Sequence, residues 1–322
     1  MRIGLMIGSD RERPRAERLN GLVDDVRAAE HDGFASFWVP QVPGYLDAMT
    51  AVAIAGHATE RIELGTAVVP LQTRHPIPMA QQVLTTQAAC GGRFTLGLGP
   101  SHHWIVGDQL GLPYDRPVAA LRDYLEVLGQ AFAGPGRVDV ENETYRVHSP
   151  MDVVDARPMP VVISALGPAM LRLAGERTSG TILWMADERA VAEHIVPRIT
   201  SAASAAGRPA PRVIAGVPVA LCRDDEVDEA RAFASEVLGH ADLSPNYERL
   251  LRHGDAEDVG DTMAAGDESA VLARLKRYRD AGVTDFAARI VPLGDTPRAR
   301  RASRDRTRTF LADLAQDPLT AA

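Results

Sequence analysis

Lysine is almost absent from this chain: Lys276 is the one lysine, and every other cationic side chain apart from histidine is an arginine. That bias fits a GC-rich coding sequence and says nothing about the fold. Cysteine is nearly as scarce. Cys90 and Cys222 lie far apart with no CxxC or Cys/His spacing near either, which excludes a disulfide framework and a zinc site and points to a reducing compartment. No segment approaches the roughly 18 uninterrupted apolar residues of a membrane helix. The opening MRIGLMIGSD is too short for a signal peptide and lacks a small-residue cleavage site, so it reads as a first strand and a cytoplasmic protein is expected. A net positive charge is also missing. At -8 the chain is a poor general binder of nucleic acid, whose affinity rests on neutralising phosphates, and the arginines of 298–308 read as the solvated face of a terminal helix. No internal repeat is evident.

What is present is a globular composition, 45% hydrophobic and 24% charged, over 322 residues, a length that one α/β barrel can absorb in a single core. Short β-rich runs recur at 3–8, 36–40, 62–70, 94–99, 161–165, 181–185, 213–222 and 285–291, each followed by an amphipathic stretch of helical length. This is the pattern of a parallel sheet with crossover helices, and eight such units favour a closed (β/α)₈ TIM barrel over an open sheet. The expected unit is one barrel over 1–316 with a frayed tail at 317–322. Helices at 19–30 and 81–89 end before His31-Asp32-Gly33 and Gly91-Gly92. Three stretches exceed ordinary βα loops: 101–115 beyond the fourth strand, 134–150 with a β-hairpin pattern around Glu141-Asn142-Glu143, and the polar 239–267, which reads as a lid or a disordered connection. The first and third are expected at the C-terminal mouth.

The most informative segment is Arg61-Ile62-Glu63-Leu64-Gly65-Thr66-Ala67-Val68-Val69-Pro70, followed by Thr73-Arg74-His75-Pro76 and a helix. With Gly91-Gly92-Arg93-Phe94-Thr95-Leu96-Gly97-Leu98-Gly99, Ala165-Leu166-Gly167-Pro168, Ala174-Gly175 and Ala281-Gly282-Val283-Thr284-Asp285, it resembles the luciferase-like family across nearly the whole chain. The resemblance is to the branch that uses the 5-deazaflavin coenzyme F420, similar to methylene-tetrahydromethanopterin reductases. It implies a non-prolyl cis peptide between Ala67 and Val68, at the end of the LGTxV strand, bulging against the flavin or deazaflavin ring. It also implies a cofactor phosphate at Leu166-Gly167-Pro168, and homodimers are common among relatives. On their own residues, Gly167 and Pro168 open a helix and leave backbone N–H groups at its positive end, although Gly-Pro is equally a helix-start device.

Chemistry in a barrel gathers at strand C-terminal ends, which here offer Gln41, Thr66, Ser101, His102, His103, Trp184 and Met185. His102, after Gly99-Pro100-Ser101, is the acid/base candidate, with a polar loop histidine as the plain alternative and His103 beside it read that way. Gln41 hydrogen-bonds ring or substrate, or is structural. Trp184 and Met185 wall the cofactor or belong to the core. Arg74 meets the acidic tail of the coenzyme or forms a surface ion pair. Several relatives acting on sugars or alcohols carry an acidic residue and a histidine after the second strand, where this chain has Trp38-Val39-Pro40-Gln41-Val42, and the reductases named above carry a glutamate where Met6 stands. A base for oxidising a hydroxyl is missing there. The resemblance therefore implies an F420-dependent oxidoreductase reducing an activated C=C or C=N bond of a small molecule, with an FMN-dependent monooxygenase as the alternative and a non-catalytic flavin- or deazaflavin-binding protein as the third reading. No metal is implied.

Overall fold

Local propensity and burial turn the β-rich runs into eight parallel strands, β1 (Arg2–Met6), β2 (Ser36–Val39), β3 (Glu63–Thr66), β4 (Phe94–Gly99), β5 (Val161–Ile163), β6 (Gly180–Trp184), β7 (Arg212–Leu221) and β8 (Asp285–Ile290). The structure is a computed structural model and describes residues 1–7, 13–134, 136–153, 159–239 and 244–316. Each strand pairs in parallel with the next, and β8 pairs with β1, Arg2 opposite Asp285, so the sheet closes into a (β/α)₈ TIM barrel. Around it run α1 (Arg18–His31), α2 (Ala48–His57), α3 (Pro76–Ala89), α4 (Pro117–Phe132), α5 (Pro168–Arg177), α6 (Val196–Ala205), α7 (Val227–Leu238), α8 (Pro245–Leu251), α9 (Glu268–Asp280) and α10 (Pro297–Gln316). The outer helices pack apolar stripes inward; α1 buries Leu22, Val26 and Ala29, four and three residues apart. Proline opens α3, α4 and α5, where a missing N–H is harmless.

Because alternate strand residues point inward, the barrel interior is layered. At its N-terminal end Arg212 donates to Glu63 at 2.8 Å and to Asp285 at 2.9 Å, Arg2 joins both carboxylates, and Thr95 donates to Glu63 at 2.6 Å. Burial alone would raise both carboxyls. The pairing with Arg212 and Arg2 outweighs it and holds them below their ordinary range. Above this ionic plug lies an apolar layer of Met6, Trp38, Val162, Ile182, Ile214 and Ala287. Two residues further along β6 and β8, Trp184 and Arg289 form part of the mouth.

Three expectations are modified. The third run, 62–70, is not continuous: β3 stops at Thr66, the Ala67–Val68 peptide is cis as the family resemblance implied, and pairing resumes only at Val69–Pro70 against Leu98 and Gly99. The detour fits because β4 is glycine there. A Cβ on Gly97 would sit 1.8 Å from the Thr66 carbonyl oxygen, and one on Gly99 would meet Val68 Cγ2 at 2.9 Å and Ser164 Oγ at 2.1 Å. The hairpin, expected from the β-rich runs 137–140 and 144–147, is Gly136–Glu141 paired antiparallel with Arg146–Met151, so both strands are longer and the second starts two residues later. Within 239–267 the described part is structured: α8, and a short strand Ala264–Gly266 that pairs with β7. Gly8, Pro135, 240–243 and the tail 317–322 lie outside the described residues. Among the described residues no helix is long and apolar enough to cross a membrane.

Candidate functional site

The C-terminal ends of the strands surround a cavity of about 1010 Å³. That is at the upper end of small-molecule sites, so a flat ring system and a second small molecule fit together. Ala67 and Val68 form a shelf in it, packed down onto the apolar layer, with Trp184 beside them. This shelf offers an apolar bed for a planar ring.

His102 lines the cavity where expected. Ser101 adopts a left-handed backbone, φ 59°, that turns the chain after β4, and the Tyr114 hydroxyl donates to the Ser101 carbonyl at 3.1 Å. The His102 ring then stacks on Tyr247 of α8, centroids 5.7 Å apart, with Trp104 at 5.6 Å on a tilted plane. Burial, helped by the charge of neighbouring His103, moves the imidazole below its ordinary pKa. At neutral pH it is an uncharged ring that hydrogen-bonds or accepts a proton; it donates one as an acid only on the acidic side. His103 packs edge-on toward Tyr114 and is not part of the lining.

Leu166, Gly167 and Pro168 line the cavity on its β5 side. A Cβ built on Gly167 meets nothing within 4 Å, so the N-terminal end of α5 opens onto free space. Two histidines absent from the sequence reading stand beside this turn. His194, 2% exposed, bonds the Leu166 carbonyl through Nε2 at 2.7 Å and stacks face to face on His253, centroids 3.8 Å apart. Because a carbonyl only accepts, Nε2 carries the proton. Nδ1 is then buried with no hydrogen-bond partner among the described residues. Burial lowers the His194 pKa, the hydrogen bond to Leu166 opposes that, and His253 and Arg198 lower it further. An anionic oxygen that displaced the groups covering Nδ1 would accept a hydrogen bond from the Nδ1–H of an imidazolium. The pair is positioned by Asp187, whose carboxylate accepts from Ala190 N and Ala256 N, both at 2.8 Å, tying the segment that carries His194 to the one that carries His253.

Besides His103, four of the candidates are not on the cavity wall. Thr66 is fully buried and points at β4, its hydroxyl donating to Gly97 O at 2.8 Å and accepting from Gly97 N at 2.9 Å, which replaces the ladder where the strands part. Ala165 is fully buried below the turn, its N–H on Thr181. Met185, in a left-handed conformation with φ 57°, packs on Val259 in the core. Arg74 is paired with Asp47, the residue that caps α2 through Thr50 N at 3.0 Å. Gln41 does line the cavity, while its amide oxygen is committed to Ala48 N at 2.9 Å. The lining also holds Arg289, unremarked in the sequence although strand alternation places it on the same inward face as Asp285 and Ala287.

The model of the luciferase-like monooxygenases matches residues 1–285 of this barrel. The chain belongs to the luciferase-like monooxygenase family. Within it, the 5,10-methylenetetrahydromethanopterin reductase of Methanolobus tindarius is 26% identical over 288 residues, 81% of this chain and 87% of its own. Among solved structures, the coenzyme F420-dependent tetrahydromethanopterin reductase from Methanopyrus kandleri superposes with a TM-score of 0.74 at 22% identity, covering 98% of this chain and 97% of the other. The monooxygenase RslO1 from Streptomyces bottropensis gives 0.76 at 18% identity, covering 97% and 98%. A deazaflavin enzyme and a monooxygenase thus match this luciferase-like barrel about equally in shape. Overall fold does not choose between their cofactors; the cavity wall has to.

Proposed function

We propose that this luciferase-like chain is a coenzyme F420-dependent oxidoreductase that reduces an activated C=C or C=N bond of a small organic substrate. The observation that carries the reading is one cavity holding both an apolar shelf for a ring, Ala67–Val68 beside Trp184, and a polar corner, where the α5 N-terminus faces open space and His194, with its unpartnered Nδ1, stands behind the Leu166 carbonyl. The Methanopyrus kandleri reductase, named for its dependence on coenzyme F420, supports the choice of cofactor. When bound, the deazaflavin supplies the hydride.

The chain's own residues do the rest. Gly167 and Pro168 would receive the phosphate at the α5 N-terminus, and His194 would donate to it as an imidazolium. Val68 and Trp184 keep water off the ring. Asp25 is the one carboxylate among the described lining residues and belongs to α1; the β1 and β2 ends contribute Met6 and Gln41 instead. Those strands bring no carboxylate base for an alcohol, which leaves His102 as the one proton-handling group beside the shelf among the described residues; we assign it to delivering a proton to a polarised double bond. His102 holds the proton that accompanies the hydride after taking it from solvent. A homodimer, as the family resemblance implies, is part of the same reading and is checked by light scattering.

The test is titration of purified protein with F420 and with FMN, followed by anaerobic mixing with reduced F420 and a panel of enones and cyclic imines. Tight F420 binding and substrate-dependent reoxidation are expected. Tight FMN binding with oxygen-dependent turnover would replace this reading by a monooxygenase, and binding without turnover across the panel would make the chain a carrier.

A further inference from the structure

One side of the mouth is lined by arginine in a chain whose overall charge is -8. Arg18 comes from α1, Arg289 from β8, and Arg300, Arg304 and Arg308 from α10. These are spaced four residues apart on α10, so they share one face of the helix. Asp25, the one acid in the described lining, is held by Arg13 at 3.1 Å, and Arg308 is held by Asp32 at 2.7 Å, yet Arg308 still has a buried Nη2 with no hydrogen-bond partner among the described residues. Arg18 has its guanidinium over the Tyr45 ring, 5.2 Å from the centroid, which keeps it at the rim.

In the strand order of the barrel, β1 lies across from β5 and β8 across from β4. The arginine wall therefore stands on the opposite side of the mouth from the phosphate corner at Leu166–Pro168. A cleft lined by one sign of charge concentrates ions of the other sign, and the guanidinium fork matches a carboxylate or phosphate with two parallel hydrogen bonds.

We propose that this wall binds an anionic substrate, a small molecule whose carboxylate or phosphate is held by Arg18, Arg289 and Arg304 while its reducible bond faces the ring. The proposal rests on the functional reading above for where the ring lies. It assigns Arg289 the innermost contact, because it is the wall residue that projects from a barrel strand; Arg304, exposed on α10, attracts the anion at the rim.

The experiment uses F420-loaded protein and calorimetric titration with matched pairs: trans-cinnamate against cinnamamide, fumarate against fumaramide, and benzyl phosphate against benzyl alcohol. In at least one pair the anion is expected to bind about ten-fold tighter than its neutral match, with the gap narrowing as salt is raised. The Arg289→Gln/Arg304→Gln double variant is expected to lose that preference, with neutral ligands unaffected and F420 affinity within about two-fold of the wild type. Should that variant fail to fold, Arg304→Gln alone is expected to weaken the anion about three-fold. Equal binding of anion and neutral match in all three pairs overturns the proposal. So does a parallel loss of F420 affinity in the variant, which would assign the wall to the coenzyme's acidic tail. If F420 does not bind at all, the functional reading fails, while the same pairs titrated into cofactor-free protein still decide whether the wall selects anions.

Discussion

Replacing Arg212 with methionine removes the cation that closes the barrel's N-terminal end while keeping much of its apolar stem. Asp285, its side chain 3% exposed, and Glu63, at 16%, keep the hydroxyls of Thr284 and Thr95 but are left with Arg2 as their paired cation, which is 45% exposed and screened by solvent. Breaking a buried ion pair by deleting one partner costs about 3–5 kcal/mol, chiefly the penalty of the charge left behind. With an unfolding entropy on the order of 0.7 kcal/mol/K for a chain this long, the melting temperature is expected to fall by about 4–7 °C at pH 7. The pH dependence tests the cause. In the wild type both carboxyls are depressed, so their stabilisation is present above their unfolded pKa values and is lost as pH falls through the folded ones. In the variant, burial raises them instead. Its penalty is greatest near neutrality and is relieved as they protonate. Urea unfolding followed by circular dichroism between pH 7 and pH 4 should therefore show the two stabilities converging on acidification. A gap that stays constant over that range, or that is under about 1 kcal/mol at pH 7, would refute the argument.

Other outcomes follow from the mouth. Gly167→Val, at a backbone of φ -88° and ψ 159° that valine tolerates, should cost about 1 kcal/mol or less in stability yet weaken F420 at least about ten-fold; equal damage to both would make the glycine structural. His194→Phe should weaken F420 by about ten- to a hundred-fold, the worth of one charge-assisted hydrogen bond, and should leave binding of a phosphate-free deazariboflavin unchanged. For the wild type, F420 affinity should rise as pH falls below the ordinary histidine range, since the lowered pKa means that the phosphate binds the less populated imidazolium; a flat fluorescence titration between pH 8 and about 5.5 would count against this. His102→Gln should remove the acidic rise in kcat/KM expected when the active form is the protonated ring, with F420 binding held; an unchanged profile would take His102 out of proton delivery.

All eight strands were legible because a strand buried on both faces writes itself as an apolar, β-branched run between turn residues. The interruption of the third run was legible through family resemblance alone: nothing in Leu64-Gly65-Thr66-Ala67-Val68 differs in propensity from a strand that continues. Candidates chosen for lying at strand ends divided by where the strand stops. Trp184, the last residue of β6, faces the mouth, whereas Met185 lies just past the strand in a left-handed turn that carries it to the core. Strand alternation would have found Arg289, two residues beyond Ala287 and four beyond Asp285. His194, His253 and Asp187 carried no comparable signal. They meet through loops and a helical turn separated by more than 50 residues in sequence, held by a carboxylate that reads locally as an ordinary helix start.

The glycines of β4 have a consequence for how this mouth can diversify. The shelf that projects at Ala67–Val68 does so into volume left vacant by positions 97 and 99, so the depth of the pocket is set on a strand that supplies no side chain there. Changing Val68 alters the shelf's texture. Adding even one methyl group at Gly97 would push against the Thr66 carbonyl and move the shelf itself. A library aimed at new substrates should therefore leave β4 alone and vary the rim, whereas a library aimed at the ring's own environment has its most sensitive positions in two residues that have almost nothing to mutate.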